Sequence, residues 1–187
     1  MKNWLRQITN FLPLIAIGVI VYSLPKFTNQ NSDRALLSIP QNRELPSSEV
    51  SQVVKVSDGD TITVSRGMEK QKVRFACIDA PELAQPLGKE SRDYLKSLIT
   101  QNGSRVTLKI VDTDRYGRKV AEVFAGSKFL QAEQVKSGMV YVYDRYLNNC
   151  PEAAAVKQAQ DFAKRSRVGV WSGNYTKPWD YRKTKRN

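Results

Sequence analysis

Two short runs of alternating apolar and polar residues, around Val54 and Val56 and around Ile62 and Val64, flank an Asp58-Gly59 step. Alternation with period two marks a half-buried strand, and Asp-Gly between two such runs marks a tight hairpin. Antiparallel sheet is therefore the starting point for this chain. Lys72–Ile78, Arg105–Val111 and Val120–Phe124 read as further strands, the last two joined across Asp112–Lys119. Between them the period changes. Leu87, Tyr94, Leu95, Leu98 and Ile99 recur at helical spacing, predicting a helix over 89–101 that Asn102-Gly103 ends. Two more helices are predicted. One runs from about Lys128 to Lys136, and the other from about Pro151 to Arg165 with an apolar face of Ala155, Val156, Ala159, Phe162 and Ala163. The order β-β-β-α-β-β-α-α predicts an α+β fold, a five-stranded closed Greek-key barrel of the OB type with three helices.

This domain, residues 50–173, is flanked by segments of different character. Lys2 and Arg6 precede an apolar run, Phe11–Tyr22, that is broken at Ser23-Leu24-Pro25. A basic flank before about a dozen apolar residues fits a signal peptide better than a full membrane span, which needs roughly twenty. No small-x-small cleavage pattern follows, so residues 1–24 are read as either a signal peptide or an uncleaved signal anchor. Either sends the remainder across the membrane, predicting a secreted, periplasmic or membrane-anchored domain outside the cytoplasm. Residues 25–49 carry Pro25, Pro40 and Pro46 among Ser, Asn and Gln without periodicity, and read as a linker.

The chain carries 30 Lys+Arg against 18 Asp+Glu, a formal charge of +12. Residues 174–187 hold five of the basic residues against Asp180 alone, interleaved with Trp179 and Tyr181. Such a basic aromatic tail reads as poorly ordered and suits a polyanion, the alternatives being that it touches nothing or that it docks on the barrel through Trp179 and Tyr181. The sequence has no histidine, which excludes Ser/His triads, paired-histidine ribonuclease chemistry and His-ligated zinc. Cys77 and Cys150 are too few for a zinc site and are either one disulfide or two free thiols.

Three stretches gather reactive groups at predicted turns and strand ends. They are Asp58-Gly-Asp-Thr61, Arg74-Phe-Ala-Cys-Ile-Asp79-Ala80-Pro81-Glu82 and Asp114-Arg115-Tyr116-Gly117-Arg118. Taken singly, each is an ordinary turn or loop. Together they hold what phosphodiester hydrolysis requires without histidine. Hard carboxylate oxygens suit Ca²⁺, and a bound dication polarises the phosphoryl group and positions water. A further carboxylate can act on that water, and two guanidiniums can grip the non-bridging oxygens.

With these motifs in this order, the sequence resembles the staphylococcal nuclease (thermonuclease) family from about Val50 to Trp171. The resemblance implies an OB-fold, Ca²⁺-dependent nuclease acting on DNA or RNA. A monomer is expected, with the membrane a partner through the N-terminal segment if that segment is not cleaved. It makes Asp60 and Asp79 the calcium carboxylates and places a main-chain carbonyl ligand at Ala80, where the family often has Thr. It puts the water-activating carboxylate at Glu82 and the phosphate-gripping arginines at Arg74 and Arg118. Tyr116, Tyr141 and Tyr143 match aromatic positions lining the nucleotide pocket, the alternative being that they only pack the barrel rim, and Arg115 beside Tyr116 is read as a further nucleic-acid contact. The loop Leu83–Leu87 is shorter and less basic than in the best-known members, and Arg145 in the divergent Asp144–Leu147 segment offers a further phosphate contact. Barrels of this family also occur as non-catalytic nucleic-acid-binding modules. Those have typically lost the acidic and arginine positions that are all kept here.

Overall fold

The computed structural model describes residues 50–185; the N-terminal segment and the linker lie outside the described residues. Strands β1 (Val50–Asp58), β2 (Thr61–Arg66) and β3 (Glu69–Phe75) form an antiparallel meander. A two-residue strand, β4 (Ile78–Asp79), and helix α1 (Gly88–Thr100) follow. Next come β5 (Arg105–Thr113), β6 (Lys119–Ala125), the short β7 (Lys128–Phe129) and α2 (Leu130–Lys136). Strand β8 (Tyr141–Val142), a 3₁₀ turn (Asp144–Asn149), α3 (Ala153–Ser166), a second 3₁₀ turn (Gly169–Trp171) and α4 (Pro178–Thr184) complete the order. The main sheet runs β3-β2-β1-β5-β6, and parallel pairing of β3 with β6 closes it into a five-stranded barrel. Closure leaves no open edge among those five strands, which is how small barrels avoid edge-to-edge association.

The barrel is filled by Ile62, Val64, Val73, Phe75, Val106, Ala121 and Val123, all buried. Helix α1 adds Leu95, Leu98 and Ile99 at the spacing anticipated from the sequence, and α2 adds Leu130 and Val135. Each such aliphatic side chain contributes about 1.5–3 kcal/mol on burial. Buried glutamines tie the layers together. Gln131 donates to the Ala121 carbonyl (2.9 Å) and accepts from the Val123 N–H (3.1 Å), which satisfies backbone groups of β6. Gln134 donates to the Gly59 carbonyl (2.6 Å), linking α2 to the first hairpin.

The structure differs from the sequence expectations at three places. In β1 the buried side chains are Ser51 and Val53, whereas Val54 is exposed and Val56 half-buried. An irregularity in the pairing with β2 between Val53 and Lys55 shifts the phase, so strict alternation from Val54 misreads the face. In α3 the face turned inward is Val156, Ala159, Gln160 and Ala163, an i, i+3, i+4, i+7 set. Phe162 falls outside that stripe and is exposed, with Lys136 over its ring. The C-terminal tail, expected to be poorly ordered, instead forms a fourth helix, α4, started by Pro178 at its first position and docked through Trp179 and Arg182. No helix among the described residues is long and apolar enough to cross a membrane.

Candidate active site

The β1–β2 hairpin turns on Gly59 and Asp60, since Asp58 pairs with Thr61. Gly59 does not use the left-handed backbone region that favours glycine in tight hairpins. Its need is space: a Cβ there would sit 1.8 Å from Ser91 Oγ and 2.9 Å from Ala80 Cβ. The glycine thus lets α1 and the Ala80 segment close down on the turn that carries Asp60. The Asp58 carboxylate accepts the Asp60 N–H (3.0 Å), and the Asp60 carboxylate accepts the Ala80 N–H and the Thr61 hydroxyl (3.1 Å). Asp60 is therefore locked between two segments far apart in sequence.

The chain delivers the second carboxylate through Cys77, whose φ of 70° turns the backbone from β3 into β4. Cys77 is disulfide-bonded to Cys150, with Cα atoms 6.1 Å apart, which settles the two alternatives for the cysteines. Asp79 pairs with Tyr141 of β8 and is 1% exposed. Arg74, at the end of β3, lies between the two aspartates. Its Nη1 ion-pairs with Asp60, while Nη2 donates to Asp79 (2.7 Å) and to the Ile78 carbonyl (3.1 Å). Glu82 follows Pro81 and is fixed by its own backbone, whose N–H donates to Gln85 Oε1 (2.9 Å).

Arg118 lies in the turn just before β6, two residues ahead of Val120, the residue that pairs with Arg74 in the parallel ladder. Arg118 Nε is held by Asp114 (2.7 Å), whose carboxylate also accepts the Tyr116 and Arg118 N–H groups. Tyr116 stands exposed at the tip of this turn between Arg115 and Arg118, with the Arg115 guanidinium 4.8 Å from its ring centre. Tyr141 is buried in β8 and Tyr143, just past its end, is half-buried, and the two contact a shared neighbour, Trp179. Arg145 lies in the 3₁₀ turn, over Tyr146.

The structure thus brings Asp60, Arg74, Asp79, Ala80 and Glu82 to one end of the barrel. Arg118 is tied to Asp114 in the turn before β6, and Tyr116 and Arg115 form the exposed tip of that turn. Two participants were not anticipated. Asp58 backs Asp60, although the motif contained it. Arg182 of α4 reaches Asp79 with both nitrogens (3.2 and 2.6 Å) and Glu82 with one (2.8 Å). The only sequence signal for Arg182 was a basic residue in an aromatic tail.

The electrostatics show an excess of negative charge. Burial and the neighbouring Asp60 push the Asp58 carboxyl up to about 7. Burial also raises Asp79, against the opposing hydrogen bond from Arg182 and with the charge of Asp60 adding to the rise. Arg74 is raised: burial favours its neutral form, but Asp60, Asp79 and Asp58 outweigh that. The Asp58 and Asp79 carboxyls are both held up chiefly by burial, with the charge of Asp60 adding to each. Among the described residues no three His, Cys, Asp or Glu side chains gather tightly enough to cage a metal unaided. The buried pair Asp60 and Asp79 nevertheless offers hard oxygens, and Arg182 stands where additional positive charge is required. That donor set fits an oxygen-seeking dication completed by backbone carbonyl and water rather than a closed protein cage.

A family model described as staphylococcal nuclease homologue matches residues 72–173. Micrococcal nuclease of Shigella flexneri is 35% identical over 146 residues, covering 73% of this chain and 82% of that protein. An uncharacterized endonuclease of Haemophilus influenzae is 38% identical over 123 residues, 65% of this chain and 66% of that one. The probable staphylococcal-like nuclease CAN3 of Oryza sativa subsp. japonica is 35% identical over 136 residues, 72% of this chain. The aligned part is only 33% of the length of that rice protein.

Proposed function

The chain belongs to the staphylococcal nuclease family, and from that premise we propose that it is a Ca²⁺-dependent nuclease cleaving phosphodiester bonds of DNA or RNA. One observation carries the reading. Two buried aspartates, the arginine between them and a third carboxyl group, that of Glu82, come from two chain segments to one end of an OB barrel. Asp60, Asp79 and the Ala80 carbonyl would hold calcium, which when bound polarises the phosphoryl group and orders water.

The chain's own groups do the rest. Glu82, half-buried and fixed through Gln85, orients the attacking water and accepts its proton. Arg74 is preorganised by its ion pairs, and its planar fork holds a non-bridging oxygen as charge accumulates in the transition state. Arg118, aligned by Asp114 through Nε, turns its terminal nitrogens to the same phosphate. Tyr143, half-buried, offers its ring to a base, and stacking of that kind is sequence-tolerant. Tyr141 is buried and supports it from within, and Arg115 and Tyr116 at their exposed tip contribute charge and an aromatic face to the nucleic acid further out.

We place the domain outside the cytoplasm, acting as a monomer. The basic and apolar N-terminal segment supports export, and so does the Cys77–Cys150 disulfide, because such bonds persist in oxidising compartments. The test is digestion of a fluorescent oligonucleotide by the wild type and by Asp79→Asn. Calcium-stimulated cleavage by the first and a loss of at least about a hundredfold in the second are expected. Equal rates in both proteins would overturn the assignment.

A further inference from the structure

The C-terminal segment is held on the site by three separate sets of contacts. Gln85, which accepts the Glu82 N–H, donates its own Nε2 to the Thr176 carbonyl (2.8 Å). Pro178 is buried, and Trp179 stacks on Tyr143 with ring centres 5.1 Å apart and planes 11° off parallel. Trp179 also meets Tyr141 edge-on at 5.8 Å. One turn further along α4, Arg182 closes on Asp79 and Glu82.

We propose that α4 is a built-in occupant of the site, with Arg182 in the role of the cation's charge and Trp179 in the place of a stacked base. Calcium and nucleic acid then bind only as α4 is displaced. The inference rests on the proposed assignment of Asp79 and Tyr143 to metal and nucleotide.

The argument is one of competition for the same atoms. Asp79 is 1% exposed, and the Oδ2 atom not claimed by Arg74 is taken by Arg182 at 2.6 Å. A dication on that oxygen would have to share it with the Arg182 guanidinium, and the two like charges would repel through a poorly screened space. Trp179 covers a face of Tyr143 that a base would otherwise use. The occupant is also able to leave. A seven-residue helix has little stability of its own, and it depends on docking contacts such as Pro178, the Trp179 ring and Arg182. Such terminal elements open at free energies well below global unfolding.

The experiment uses the full chain and Ca²⁺ alone. Calorimetric titration of wild type, Arg182→Ala and Arg182→Lys is combined with hydrogen exchange at the amides of 179–185. Arg182→Ala should bind Ca²⁺ roughly tenfold more tightly than wild type, a factor at the low end of usual coupling between linked sites. Arg182→Lys should stay near wild type, and Ca²⁺ should speed exchange across wild-type α4. Trp179→Ala should bind short single-stranded DNA more tightly in chelator, whereas weaker binding would make Trp179 part of the substrate platform and overturn its role as occupant. If Ca²⁺ binds wild type and Arg182→Ala equally and leaves α4 exchange unchanged, the inference falls while the metal assignment stands. If neither protein binds Ca²⁺, both fall. The exchange measurement needs no variant, so it holds whether or not the substitutions fold.

Discussion

Removing the Cys77–Cys150 bond should cost this fold a large part of its stability, for reasons that lie mostly in the unfolded chain. The bridge spans 73 residues, from the turn before β4 to the loop before α3. In the chain-entropy treatment, closing a loop of that length removes about 4 kcal/mol of unfolded-state freedom at 25 °C. Both cysteines are buried, in a small cluster with Ala76, so Cys77→Ala/Cys150→Ala leaves apolar side chains where the sulfurs were. Little native packing is lost, and the entropic contribution should dominate. Equilibrium urea unfolding, followed by tryptophan fluorescence, should show the double variant less stable by about 3–4 kcal/mol with a similar m-value. The melting temperature should drop by about 10 °C, taking about 2–4 °C per kcal/mol for a chain of this size. Reduced wild type should resemble the variant. A loss below about 1 kcal/mol would refute the argument, since an effect that small would mean the unfolded chain gains almost no freedom when the bridge is cut.

The Asp58 carboxyl, raised to about 7 by burial and by Asp60, gives a pH signature. A raised carboxyl opposes folding once ionised, so its penalty is absent below its ordinary value near 3.8, grows up to about 7 and is constant above. Asp58→Asn keeps an acceptor for the Asp60 N–H. It should raise the melting temperature in chelator at pH 8 and leave it unchanged at pH 3.5; an equal gain at both would sink the assignment. Gly59→Ala should destabilise by about 1–3 kcal/mol in urea, because its Cβ would overlap Ser91 and crowd Ala80. Unaltered stability would mean that α1 can move aside without cost. Arg74→Lys and Arg118→Lys should each lower kcat by about two orders of magnitude, since a point charge cannot reproduce a bidentate fork; near-normal turnover in either would contradict its place on the phosphate. Glu82→Gln should lower kcat more than it changes KM, and a change confined to KM would remove it from the chemistry.

Much of the barrel was legible because its strands and helices carry the periodicities that burial imposes. Leu95, Leu98 and Ile99 show their face at helical spacing, and Ile62 and Val64 show theirs at strand spacing. Where the backbone departs from regularity the pattern misleads, as at Val54, where the irregular pairing with β2 reverses which side chain is buried. Phe162 misled for another reason: hydrophobicity alone placed it on the α3 face that geometry gives to Gln160. The buried glutamines were invisible because their value lies in backbone groups of β6 and the first hairpin that only the tertiary fold brings near. At the site, Asp60, Arg74, Asp79 and Glu82 stood out because their types cluster within two short motifs. Arg182 could not, since it joins them across 103 residues through a tail that carries no motif of its own.

The central claim is tested most directly by one digestion measurement on the wild-type protein. Single-stranded DNA, double-stranded DNA and RNA are each incubated with the protein in Ca²⁺ and, in parallel, in chelator. Cleavage of at least one substrate in Ca²⁺, abolished by chelator and restored when Ca²⁺ is returned in excess, is the predicted result. Binding of these nucleic acids without cleavage under any of those conditions would contradict it, and would make the barrel a non-catalytic binding module despite its intact carboxylate and arginine set.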